Sequence, residues 1–146
     1  MPDEEKLDEK AAVKCLNAAL ELQYRSALQY SVVASSLTGI EAQAVGSKLT
    51  EYGDAELADV RRLIEKIVSF GGEPTTKIAE LRHDEDPERT VEWLIECEQE
   101  GIEALQGAIE PTGREGRSEA LEHRLEHMIM RKQEQADLIS RAREED

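Results

Sequence analysis

Apolar residues recur every three or four positions over four long stretches of this chain, and turn or capping residues separate the stretches. The first runs from about Glu9 to Thr38, with Val13, Leu16, Leu20, Ala27 and Tyr30 on one stripe, and Gly39 closes it. Gln23 is the polar exception on that stripe. The second runs from about Glu41 to Phe70, carries Val45, Leu49, Tyr52, Val60, Leu63 and Ile67, and stops at Gly71-Gly72. Asp86-Pro87 reads as an N-cap followed by a proline at the first helical position, and opens a third helix with Val91, Leu94, Ile95, Ile102, Leu105 and Ile109. Pro111 to Gly116 breaks it. Ser118 is then placed to cap a fourth helix carrying Leu121, Leu125, Met128, Ile129, Ala136 and Ile139.

Residues 73–86, with Pro74 and the HDED run, predict an irregular connection with one short turn at Ile78 to Leu81. This is long for a link between neighbouring helices. A plain up-down-up-down bundle needs only short loops, and a long coiled coil needs no glycine and proline stops. The pattern therefore predicts two antiparallel hairpins joined by a crossover between helices 2 and 3, an all-α four-helix bundle. It forms one domain over residues 1–146, with residues 1–8 as a flexible tail.

Composition fits this reading, since strong helix formers dominate and only 3% of residues are aromatic. The charge adds a restriction. With 33 acidic against 18 basic side chains, the net charge of -15 argues against nucleic acid or an anionic membrane as partner. It suits a self-repelling surface, one adapted to high salt or one that attracts cations. The N-terminal segment Met1 to Lys10 is charged, and no apolar run approaches the ~20 residues that span a bilayer, so a cytoplasmic protein is expected. Cys15 and Cys97 lie on different helices without metal-ligand spacing and are expected as packed thiols.

Candidate chemistry lies on the apolar stripes themselves. Glu56 falls mid-stripe on the second helix with Asp59 one turn later, and Glu98 falls on the stripe of the third. A carboxylate facing a core is costly unless it is paired, protonated or metal-bound.

Several of these stretches resemble bacterioferritins, within the ferritin-like superfamily. The first helix holds Leu16-Asn17 and Gln29-Tyr30, the second ELADVRRLIEKIVSFGGEP from Glu56 to Pro74, and the third Glu98 followed by Gly101, Leu105 and Ile109. The resemblance implies a ferritin-like antiparallel bundle and a di-iron site, in which two helices give a Glu each and two give a Glu-x-x-His pair. It implies iron, as a pair or a single ion, with a role in iron storage or oxidant defence and ferroxidase-type chemistry if the site survives.

Carried over position by position, that ligand set is degenerate. The first-helix glutamate falls on Gln23, since neighbouring Glu21 has the wrong helical phase; the second-helix pair falls on Glu56 and Asp59; and Glu98 matches the third. The fourth-helix pair falls either on Lys132 and Gln135 or, with a longer preceding loop, on Glu134 and Asp137. Helical phase favours the first, because Lys132 lies on the stripe of Leu121, Leu125, Met128 and Ile139 while Glu134 and Asp137 point away. The Lys132 ammonium would then take the electrostatic role vacated by metal and pair with Glu56 or Glu98.

The metals expected from this reading are held by Glu56, Asp59 and Glu98. The haem-ligating methionine of bacterioferritins falls on Leu57, so no haem is expected. His123 and His127 are expected on a charged surface, and Tyr30 as core packing. The sequence ends at Arg143 to Asp146 without the fifth helix that helps build bacterioferritin cages, which leaves a homo-oligomer, at least a dimer, as the expected assembly, with Tyr24, Val32 and Val33 as its contact. Two functions stay open: an iron-binding ferritin-like protein with a degenerate di-iron site, or a non-catalytic oligomeric scaffold or partner-binding bundle that has lost its metal.

Overall fold

A computed structural model describes residues 7–109 and 116–144. Four helices account for most of them: α1 (Glu9–Ser36), α2 (Ile40–Ser69), α3 (Pro87–Ile109) and α4 (Gly116–Glu144). The fold starts inside the expected tail, because Leu7 is buried in the core and Asp8 caps α1 by accepting the backbone N–H of Ala11 at 3.1 Å. Gly39 does not close α1, which ends three residues earlier. It is the N-cap of α2, with a φ of 92°. At the other end of α2, Gly71 adopts φ 78°, and the N–H groups of Gly71 and Gly72 return to the carbonyls of Val68 and Ile67. A glycine is what this left-handed turn requires.

The crossover from 73 to 86 is extended and lies along α1, without the short turn expected at Ile78 to Leu81. Polar side chains of α1 take the place of internal turn bonds. Asn17 binds the carbonyl of Glu73 and the N–H of Thr75, Tyr24 donates to the carbonyl of Thr75, and Gln29 pairs with both backbone groups of Arg82. Trp93 on α3 donates its indole N–H to the same Gln29 and is flanked by the guanidinium groups of Arg25 and Arg82. This arrangement carries the chain back along α1 to begin α3. There Asp86 accepts the N–H of Glu88 at 3.0 Å, as its predicted N-cap role requires.

Ser118 is not a cap. It lies within the first turn of α4 and is buried; the predicted break at Pro111 falls outside the described residues. Helix α1 packs broadly on α2 and α3, and α3 on α4, whereas α2 and α4 touch only sparsely. The apolar core falls into two clusters. One gathers Leu16, Leu20, Leu63, Ile67, Leu105, Leu121, Leu125 and Met128; the other gathers Tyr30, Val33, Leu49, Tyr52, Leu94 and Ile139. On every helix, the residues between these clusters include a buried polar side chain. None of the described helices is long and apolar enough to cross a membrane.

Candidate functional site

The polar layer between the two apolar clusters brings together one or two residues from each helix: Gln23 of α1, Glu56 and Asp59 of α2, Glu98 of α3, and Lys132 and Gln135 of α4. All are buried, and Glu56, Asp59, Glu98 and Lys132 have no accessible surface at all. Helical phase explains the convergence. Leu20 and Ala27 flank Gln23, Tyr52 and Val60 flank Glu56, and Met128 and Ile139 bracket Lys132 and Gln135 on the inward face of each helix.

Glu56 is the hub. Its Oε2 accepts from Lys132 Nζ at 2.8 Å and from Gln23 Nε2, which also reaches the Glu56 backbone carbonyl at 2.9 Å. Its Oε1 accepts from Gln135 Nε2 at 3.0 Å, and the same amide donates to Glu98 Oε2 at 2.8 Å. Lys132 Nζ stands 3.5 Å from Glu98 Oε1, so the ammonium bridges both carboxyl groups. Arg131 joins Asp59 to the same cluster: it pairs with Asp59 and stands 3.4 Å from Glu56 Oε2, while Arg62 Nη1 lies 2.8 Å from Asp59 Oδ1.

The two glutamates are driven to opposite protonation states. Burial alone would raise Glu56, but the Lys132 ammonium, the neighbouring Glu98 carboxyl and the Arg131 guanidinium outweigh it and hold Glu56 well below the usual carboxylate range. For Glu98, burial and the negative charge of Glu56 act together and push it up to about 8. The layer therefore favours the charged carboxylate at Glu56 and the protonated carboxyl at Glu98. Lys132 keeps its proton: burial opposes the charge, but Glu56 and Glu98 outweigh burial and raise it. Tyr30 lies against this cluster, and burial together with the charges of Glu98 and Glu56 raises its phenol far above its ordinary range.

Glu134 and Asp137, the alternative fourth-helix pair, are exposed on the far side of α4, where Asp137 accepts from Gln133 instead. His123 and His127 are exposed as well, and Glu21 meets Lys77 on the outside of α1. Sequence reasoning missed Arg131 and Arg62. The i, i+3 spacing of Asp59 and Arg62 was a readable signal; Arg131 had none, because it reaches the layer from the flank of α4.

The ferritin-like domain family matches residues 13–145. The chain belongs to the ferritin-like family. Among solved structures, a ferritin-like diiron-carboxylate protein from Bacillus anthracis str. Ames superposes with a TM-score of 0.85 at 26% identity, covering 92% of this chain and 96% of that one. A Rhodobacter capsulatus bacterioferritin, described with a metal-free dinuclear site and haem iron, gives a TM-score of 0.77 at 22% identity over 92% of this chain and 84% of its own. The dodecameric thioferritin from Bacteroides fragilis, a bacterioferritin-related protein, gives 0.71 at 19% identity over 96% and 92%. The last two likenesses concern the fold alone. No curated protein sequence matches the chain significantly.

Within this ferritin-like bundle, the donor set does not fit a pair of iron ions. Such ions need several anionic oxygens and one or two imidazoles around open space. Here the layer offers no imidazole, Gln23 and Gln135 turn N–H groups toward the carboxylates, and an ammonium stands between Glu56 and Glu98. Asp59 is engaged by two guanidinium groups. Among the described residues, no three His, Cys, Asp or Glu side chains are grouped as metal ligands. What the arrangement does chemically is hold charge: it sets an ammonium beside Glu56 and within 3.5 Å of Glu98.

Proposed function

We propose that this ferritin-like chain is a non-catalytic helical bundle that serves as a homo-oligomeric scaffold or partner-binding protein, its core held by an internal ion cluster rather than by iron. The observation that carries this reading is Lys132, an ammonium wholly buried between Glu56 and Glu98. Burying a charge is tolerated only when it is paired and hydrogen-bonded. Glu56 pairs with it directly, and Gln23 and Gln135 complete the shell of that carboxylate.

Self-association is supported by the oligomeric thioferritin relative and by apolar side chains left exposed on α1 and α2, among them Leu28, Leu57 and Val68, with Ile40 and Val45 exposed near the start of α2 although the pattern placed Val45 on its buried stripe. These replace the contact expected from sequence. Val33 is part of the core, Val32 is half-buried, and the Tyr24 hydroxyl is engaged by the crossover. The unpaired thiols of Cys15 and Cys97 are compatible with a cytoplasmic setting, and burial pushes the Cys97 thiol up to about 12, which makes it inert.

A second reading, iron binding with ferroxidase-type activity in storage or oxidant defence, is favoured by the two inward carboxylates and by the diiron-carboxylate relative. Elemental analysis of the native protein, with aerobic oxidation of ferrous iron measured beside a Glu56→Ala, Glu98→Ala variant, separates the two. The scaffold reading expects no stoichiometric iron and an oxidation rate equal to the protein-free control. Iron at one or two ions per chain, with oxidation lost in the variant, would establish the other.

A further inference from the structure

Two consecutive residues of α4 reach two carboxylates one helical turn apart on α2: Lys132 meets Glu56, and Arg131 meets Asp59 and, at 3.4 Å, Glu56 as well. They do so where α2 and α4 touch only sparsely, so side-chain charges span a gap that backbone packing does not close. The lysine is accommodated from the opposite side as well. Gly101 of α3 is buried, and a Cβ there would stand 3.4 Å from both Cε and Nζ of Lys132, at the limit of ordinary contact. The two carboxyl groups meanwhile keep the geometry of a shared site, bridged by one amide at 3.0 and 2.8 Å and by one ammonium at 2.8 and 3.5 Å.

An ammonium and a divalent cation compete for the same feature, a concentration of negative charge in a low-dielectric interior. The ammonium differs in being tethered, so it is present at every metal concentration and cannot be removed by a chelator. Gln23 and Gln135 present N–H groups while the lysine is there, but an amide turned about its last torsion presents its oxygen instead.

We infer that Lys132 is a built-in cation that fills the position of a metal and keeps divalent ions out of the bundle, and that Glu56 and Glu98 remain competent to bind one such ion once the lysine is removed. This rests on the metal-free reading above and deepens it. Lys132→Ala empties the position and leaves the carboxyl groups facing each other, which is chemistry suited to a hard cation such as Mn²⁺. Lys132→Met fills the space without charge and keeps it closed.

The test is titration of wild type, Lys132→Ala and Lys132→Met with Mn²⁺, followed by the electron paramagnetic resonance of free Mn²⁺ and by thermal unfolding. The expected result is that only Lys132→Ala takes up Mn²⁺ in a manner abolished by adding Glu56→Gln. Its Tm should then rise by roughly 8 °C at a hundredfold excess over Kd. Identical behaviour of the alanine and methionine variants would overturn the inference, as would Mn²⁺ uptake by wild type that Glu56→Gln removes. If Lys132→Ala does not fold alone, refolding it with Mn²⁺ present decides the matter: recovered helicity supports the inference and continued failure overturns it. Wild type that binds Mn²⁺ through Glu56 without oxidising ferrous iron sinks this inference alone, whereas ferrous oxidation sinks the proposed function too.

Discussion

Replacing Lys132 by methionine keeps most of its volume and removes its charge, which leaves the Glu56 carboxylate buried with the amides and Arg131, 3.4 Å away, as its remaining partners. Truncating one member of a buried ion pair typically costs about 3–5 kcal/mol, mostly as the penalty on the survivor. Urea unfolding of Lys132→Met should show a loss of that order, and the Lys132→Met, Glu56→Gln double variant should regain most of it, because a neutral pair of similar shape carries no stranded charge. A double variant no more stable than the single would mean that the pair does not act as a unit. Glu98 gives the layer a pH dependence whose sign can be worked out. Its carboxyl is raised from 4.5 in the unfolded chain to about 8 in the fold, so the folded state binds the proton more tightly. Its contribution is complete below pH 4.5 and is lost as pH rises toward 8. Glu56, depressed instead, contributes above 4.5 and loses that contribution as pH falls below it. The layer therefore supports the fold best near pH 4.5 to 5. Urea midpoints measured from pH 5 to pH 9 should decline in wild type, and the decline should be shallower in Glu98→Gln, whose amide does not titrate.

At the level of the helices, the four stripes were legible because burial imposes a period that polar segments lack, and the same period located Glu56, Glu98, Lys132 and Gln135 on inward faces. The crossover was not legible in this way. Its path depends on Asn17, Tyr24 and Gln29, which sit 50 or more residues upstream in α1 and whose pairing with Glu73, Thr75 and Arg82 has no local sequence signal. Nor did any local signal mark the arginine on the flank of α4, since a long side chain reaches a site that its backbone phase does not face. Gln29 is the test of the crossover. It is fully buried and satisfies Arg82 twice and Trp93 once, so Gln29→Leu strands a backbone carbonyl and a backbone N–H in the crossover and an indole N–H on α3. Each stranded group costs about 1–3 kcal/mol if it stays dry, less if the crossover lifts and hydrates. Hydrogen exchange should reveal the lifting as faster exchange at the Arg82 amide, with the α2 amides unchanged. Protection at Arg82 equal to wild type would show that the crossover is held by other means.

The whole molecule has to reconcile self-association with a net charge of -15 on every copy. Two such chains repel at long range, while the apolar contact proposed through Leu28, Leu57 and Val68 acts only at short range. Salt separates the two terms. Raising ionic strength from about 0.01 M to about 0.15 M shortens the screening length from about 30 Å to about 8 Å, which quenches the repulsion and leaves apolar burial intact. Association of wild type should therefore strengthen over this range, opposite to the behaviour of a contact held by complementary charge. Leu57 is a suitable probe because its side chain is 44% exposed and contributes to neither core cluster, so Leu57→Glu should spare the fold while placing a further negative charge in the contact. Sedimentation velocity at the two salt concentrations, with circular dichroism to verify the fold, gives the comparison: wild type shifting to higher mass with salt, and the variant remaining at the mass of the single chain. A wild-type chain monomeric at both salts would remove self-association from the proposed function and leave binding to a different partner. A variant that still associates would move the contact away from this face of α2.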